Sequence, residues 1–123
     1  MNARQRQHRH LDYMQHMLGA ATQAQAYVEG MAEQDFLRDA KTQDAVVLKL
    51  IVIGEAATQL MDEAPEFTGI QAEVPWRQLR GMRNRMAHGY FDIDMHIVWA
   101  TVNESLPELE GHLRSLLTQS PSS

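Results

Sequence analysis

The chain has 123 residues, 44% of them hydrophobic, with 11 Lys and Arg against 16 Asp and Glu, a net charge of -5 and no cysteine. That length fits one domain, residues 1–123, with a single core that needs no metal or disulfide staple. Disulfides and thiolate metal sites are excluded, and the acidic balance argues against a nucleic-acid-coating role.

The basic N-terminus, with Arg4, Arg6, His8, Arg9 and His10, is not followed by the apolar stretch of a signal peptide. A cytoplasmic protein is expected. From about residue 5 to 30, Leu11, Met14, Leu18, Ala21 and Val28 recur at helical spacings, predicting a first long amphipathic helix that ends near Gly30. His8, Asp12 and His16 stand at i, i+4 and i+8, half of a metal site, but a fourth ligand is missing and no metal is expected. Asp35, Phe36 and Leu37 read as a short connection. Asp39 or Thr42 can then cap a second helix over about residues 39–62. Its apolar run, interrupted by Lys49, is far short of the roughly 20 residues that span a bilayer. Val46, Val47, Leu50, Ile51, Ile53 and Leu60, beside Gly54, Ala56 and Ala57, cover more than half of that helix, which predicts burial on two sides and a homodimer. Glu55, a carboxylate inside this apolar helix, calls for a cationic partner, and an arginine of the third helix is the natural one.

Pro65, Gly69 and Pro75 break the pattern, so residues 64–74 read as a loop and Pro75 as the first turn of the third helix, which closes near Gly89. Asp92 or Asp94 can cap a fourth helix striped by Ile97, Val98, Thr101, Val102, Leu106, Leu109, Leu113, Leu116 and Leu117, with a kink at Pro107 and a frayed tail over 119–123. The fold class expected is an all-α bundle of four main helices.

The third helix carries the chemistry. Between Val74 and Phe91 lie Arg77, Arg80, Arg83, Arg85 and His88 and no acidic residue, a local positive field in an acidic chain. Asn84 and His88 are i, i+4 neighbours, Arg83 and Tyr90 return to nearly one stripe, and Arg80 falls between these lines. Metal-free RNA cleavage needs a base for the 2′-OH, an acid for the departing 5′-oxygen, and a cation for charge building on phosphorus. Histidine serves either of the first two needs and arginine the third. With one motif histidine per chain, two copies would complete the set. The same residues also admit plainer roles: solvated or carboxylate-paired arginines, a histidine that complements the helix dipole, and packing for Trp76 and Tyr90.

Arg83-Asn84, three further residues and His88 resemble the Arg-polar-x-x-x-His signature of the HEPN superfamily, and the extension to Tyr90 resembles the Arg-x4-His-x-Tyr motif of HepT-like toxins. Thr42 to Val46, Ile53 to Ala57, Pro75-Trp76, Gly81 to Asn84, Val98-Trp99 and Leu106 to Leu109 also fall in the family's order, so the likeness covers about residues 11–117 and leaves 1–10 as an N-terminal extension. The resemblance implies a homodimeric HEPN-type bundle and a metal-independent endoribonuclease acting as the toxin of a type VII-like two-component system. Its partner would be an MntA-like minimal nucleotidyltransferase that transfers AMP to Tyr90. Carried over by position, Arg83 and His88 would be catalytic, Asn84 supporting, and Tyr90 the acceptor; Arg80, placed between the two stripes, is a further supporting candidate, and no cofactor or membrane association is expected. The alternatives are a non-catalytic HEPN module that binds RNA or a nucleotide, and a structural dimer that docks a nucleotidyltransferase.

Overall fold

Asn2 starts the first helix in the computed structural model, which describes residues 2–119. Its side-chain oxygen accepts from the Gln5 backbone N–H at 2.8 Å while its own N–H donates to Gln5 Oε1 at 3.0 Å, a reciprocal cap for α1 (Ala3–Tyr27). The chain then turns at Gly30, whose φ of 79° lies in the left-handed region that glycine enters without a Cβ clash. Where a connection was expected, residues 35–37 form part of a short helix, α2 (Glu33–Leu37). Asp35 accepts the open Ala32 N–H at 2.9 Å, and Phe36 is fully buried beside Trp99, with 5.5 Å between ring centroids.

Asp39 caps α3 (Ala40–Glu63), accepting from the Thr42 N–H at 3.1 Å and the Thr42 hydroxyl at 2.7 Å. The predicted loop over 64–74 is corrected: Pro65, read as a breaker, opens α4 (Pro65–Ile70), where its missing N–H costs nothing. Pro75 sits one position before α5 (Trp76–His88), and the Trp76 indole N–H donates to the Gln71 carbonyl at 3.0 Å, which settles that ring as packing. After Gly89 the chain makes a 3₁₀ turn (Tyr90–Asp92). The helical stripe drawn through Arg83 and Tyr90 therefore fails at Gly89, because Tyr90 is not on the helix.

Asp94 caps α6 (Met95–Ala100), accepting the His96 N–H at 2.9 Å. A π turn (Thr101–Ser105) joins it to α7 (Leu106–Gln119). Pro107 has no N–H to offer and its ring crowds the preceding turn; the chain widens there, and the Leu106 N–H reaches back five residues to Thr101 O. Ile97, expected in the buried stripe, is 61% exposed, while Val98, Val102, Leu106, Leu109 and Leu113 are buried. Of the tail expected to fray, Gln119 closes α7 and 120–123 lie outside the described residues.

The architecture is all-α, and α3 is its centre: α1 packs along one side, α5 along another, and α7 lies on α1. Met17, Phe36, Leu50, Ile53, Leu60, Leu106 and Leu113 are the large side chains at the heart of the core. One side of α3 stays open, with Leu48 57% exposed and Ile51 and Val52 partly buried. Among the described residues no helix is long and apolar enough to cross a membrane.

Truncating Phe36 to alanine should cost about 3–5 kcal/mol of folding free energy, read from the denaturant midpoint. The Thr42 hydroxyl and backbone N–H hold the Asp39 carboxylate below its usual pKa. Its contribution is therefore complete above the unfolded carboxylate value, about 4, and fades as pH falls through the lower folded value. Asp39→Asn keeps an oxygen acceptor but cannot titrate, so the difference in melting temperature between wild type and variant should shrink as pH drops below about 4.

Candidate active site

Helix α5 is bare of acids, and its residues divide by face. At about 100° per residue, Leu79, Met82 and Met86 fall on the buried side. Arg83 and Arg80 lie on the shoulder towards α3. Arg77, Gly81, Asn84 and His88 run along the outer crest, and Arg85 takes the opposite shoulder.

The α3 shoulder is built on a close approach of two backbones. A Cβ placed on Gly54 would stand 2.4 Å from Arg83 Cβ and 2.6 Å from the Leu79 carbonyl oxygen, so only glycine lets α5 come this near. Within that contact the Arg83 guanidinium meets Glu55, Nη1 to Oε2 at 3.2 Å, as the isolated carboxylate on α3 required. Its Nη2 reaches the Thr58 hydroxyl at 3.5 Å, the outer limit of a hydrogen bond. Thr58 is buried and donates its own proton to the Gly54 carbonyl at 2.7 Å, leaving a lone pair turned to the arginine. The Nε–H of Arg83 is buried without a partner among the described residues. Arg80 binds Asp62 at 2.6 Å and approaches the Thr58 carbonyl at 3.5 Å. Thr58 and Asp62 were not singled out in the sequence, although they follow Glu55 at spacings of three and seven, one face of α3.

The outer crest differs. Asn84 and His88 are exposed, and among the described residues neither has a hydrogen-bond partner. The structure thus separates two residues that the motif writes close together: Arg83 is 24% exposed and turned to α3, whereas His88, five residues on, points about 140° away around the axis. Only the backbone of Tyr90 is placed, in the 3₁₀ turn; its side chain lies outside the described part. Between α5 and α6 opens a cavity of about 400 Å³, bordered by Met82, Arg85, Met86, Asp94, Ile97 and Val98 among others. It lies on the shoulder away from Arg83. Among the described residues no three His, Asp or Glu gather as metal ligands.

A family model described as "Ribonuclease HepT-like" matches residues 17–116. A protein of Thermococcus cleftensis named "Probable ribonuclease HepT" is 35% identical over 107 residues, 87% of this chain and 94% of that protein. A protein of Caldanaerobacter subterraneus subsp. tengcongensis, provisionally named an RNase, is 33% identical over 105 residues, 85% of this chain and 91% of its own length. No solved structure matches the chain significantly.

Gly54→Ala should destabilise the protein by about 1–3 kcal/mol through overpacking, although alanine in an unconstrained helix gains about 0.5–1 kcal/mol over glycine. A melting temperature at or above wild type would show that α5 can move away without cost. The half-exposed Glu55–Arg83 pair carries little stability of its own, so Glu55→Gln should shift the unfolding free energy by less than about 1 kcal/mol.

Proposed function

The chain belongs to the HepT-like ribonuclease family, and on that premise we propose that it is a metal-independent endoribonuclease, the toxin of a two-component toxin–antitoxin pair, acting as a homodimer on RNA. The observation that carries the reading is the seating of Arg83 against Glu55 and Thr58 on the same helix that leaves His88 and Asn84 open to solvent and, among the described residues, without a hydrogen-bond partner. His88, whose imidazole can accept a proton, takes that of a ribose 2′-OH. The oxygen attacks the adjacent phosphorus, and Arg83 stabilises the charge that builds on the non-bridging oxygens. A proton passes to the departing 5′-oxygen, leaving a 2′,3′-cyclic phosphate and a 5′-OH. Asn84 and Arg80 support the phosphate.

Two features favour a second copy in the site. Each chain offers one motif histidine where the reaction needs a base and an acid, and Arg83 and His88 of one chain face different directions. The open side of α3, with Leu48, Ile51 and Val52, offers apolar surface for the pairing. Tyr90 is the proposed acceptor of AMP from a nucleotidyltransferase partner; it follows His88 within two residues, in a turn rather than a helix. An adduct there adds negative charge and bulk beside the site and would compete with substrate phosphate. A second reading, a HEPN module that binds RNA or a nucleotide without cleaving it, or a dimer that docks the nucleotidyltransferase, draws on the carboxylates that already pair Arg80 and Arg83.

Purified unmodified protein incubated with total RNA in EDTA is the direct test. Cleavage leaving 2′,3′-cyclic ends is expected, with Arg83→Ala and His88→Ala each at least about 100-fold slower. Equal activity in either variant removes that residue from the mechanism, and cleavage lost in EDTA removes metal independence. With the nucleotidyltransferase, ATP and magnesium, mass spectrometry should find AMP on wild type and none on Tyr90→Phe. Sedimentation at micromolar concentration should give twice the chain mass.

A further inference from the structure

The four arginines of α5 are not equivalent. Arg80 and Arg83 are already bound to Asp62 and Glu55, whereas Arg77 and Arg85 are exposed and, among the described residues, have neither an ion pair nor a hydrogen-bond partner. Arg77 lies on the crest of the helix and Arg85 two turns further on, with Gly81 between them. The Arg85 side chain folds back along the helix: its Nη1 stands 3.4 Å from where a Gly81 Cβ would be. The missing side chain at 81 therefore leaves a bare patch of helix with the Arg85 guanidinium at its edge and Arg77 one turn away. Asn84, also exposed, borders the same patch.

We infer that this patch is a second phosphate seat, in which Arg77 and Arg85 hold a backbone phosphate of single-stranded RNA over Gly81 while a neighbouring phosphate lies at the reacting centre. The inference rests on the ribonuclease reading and adds to it the residues that grip substrate away from the cut. Guanidinium groups form paired hydrogen bonds with phosphate oxygens, and unlike Arg80 and Arg83 these two have no carboxylate to give up first. Asp92 and Asp94 border the cavity on which Arg85 lies, and neither forms an ion pair with it. In a chain of net charge -5, RNA is repelled by most of the surface, so a small uncompensated cationic patch beside His88 sets where the strand can land.

The test measures binding of a fluorescent single-stranded RNA oligonucleotide to the full chain carrying His88→Ala, which prevents cleavage, between 50 and 200 mM salt. Each phosphate contact contributes about 0.7 to the slope of log affinity against log salt. Because both arginines share one phosphate, Arg77→Ala and Arg85→Ala should each weaken binding, the double variant should lower the slope by about 0.7 in all, and Arg→Lys at both positions should restore most of it. In the background with His88 intact, the alanine variants should raise KM several-fold with kcat little changed, while Arg83→Ala acts on kcat. Cleavage by wild type is scored separately, so a failed ribonuclease reading is told apart from a failed seat. A double variant with the parent's slope and KM overturns the seat and leaves the patch to an acidic protein partner.

Discussion

The distance between α3 and α5 is the constraint from which the rest of the site follows. It is set by an atom that is absent. Gly54 gives up the Cβ that would meet Arg83 Cβ and the Leu79 carbonyl, and the two helices close to the point where a side chain on one touches the backbone of the other. At that spacing Thr58 can serve both neighbours, taking Arg83 on its hydroxyl and Arg80 on its carbonyl. A wider contact would return both guanidinium groups to water, where they would sample many rotamers. Close packing here converts two flexible cations into positioned ones, at the cost of one buried Nε–H without a partner.

Charge is arranged to the same end. Among the described residues, the carboxylates that compensate α5 come from α3, and they reach only the near shoulder of the helix. The crest and far shoulder stay uncompensated. On the ribonuclease reading proposed above, an acidic chain would not hold RNA by bulk attraction but through a few groups whose fields are not cancelled nearby. The Glu55 carboxylate is half exposed, so on the proposed reading a substrate phosphate would displace it from Arg83 without leaving a buried charge alone.

Much of this was legible in the residues. A capped stretch of more than about 20 residues without a turn signal was legible as α3, and Glu55 inside it called for a cation, for which an arginine of α5 was the natural candidate. The arginine helix itself, bounded by Pro75 and Gly89, was equally plain. Other features were hidden because they depend on neighbours. Pro65 is both a breaker and a good first helical residue, and the sequence alone does not choose between the two; in the fold it opens α4, in which Thr68 is buried. The stripe from Arg83 to Tyr90 assumed a helix that Gly89 ends. Thr58 and Asp62 share a face with Glu55, but a lone sequence does not say which face of α3 meets α5. Ile97 fits the period of its helix and is nevertheless outside, since no element lies over it.

The small residues of the central helix have one more effect. Gly54, Ala56 and Ala57 on α3, with Ala20, Ala21 and Ala24 on α1, let backbones approach on two sides of the same helix. A rod clamped on two sides can neither roll nor slide without breaking contacts on both. The third side, with Leu48, Ile51 and Val52, is thus held in one orientation before anything meets it. Association through such a surface loses little internal freedom, so more of the gain from covering it is retained as affinity.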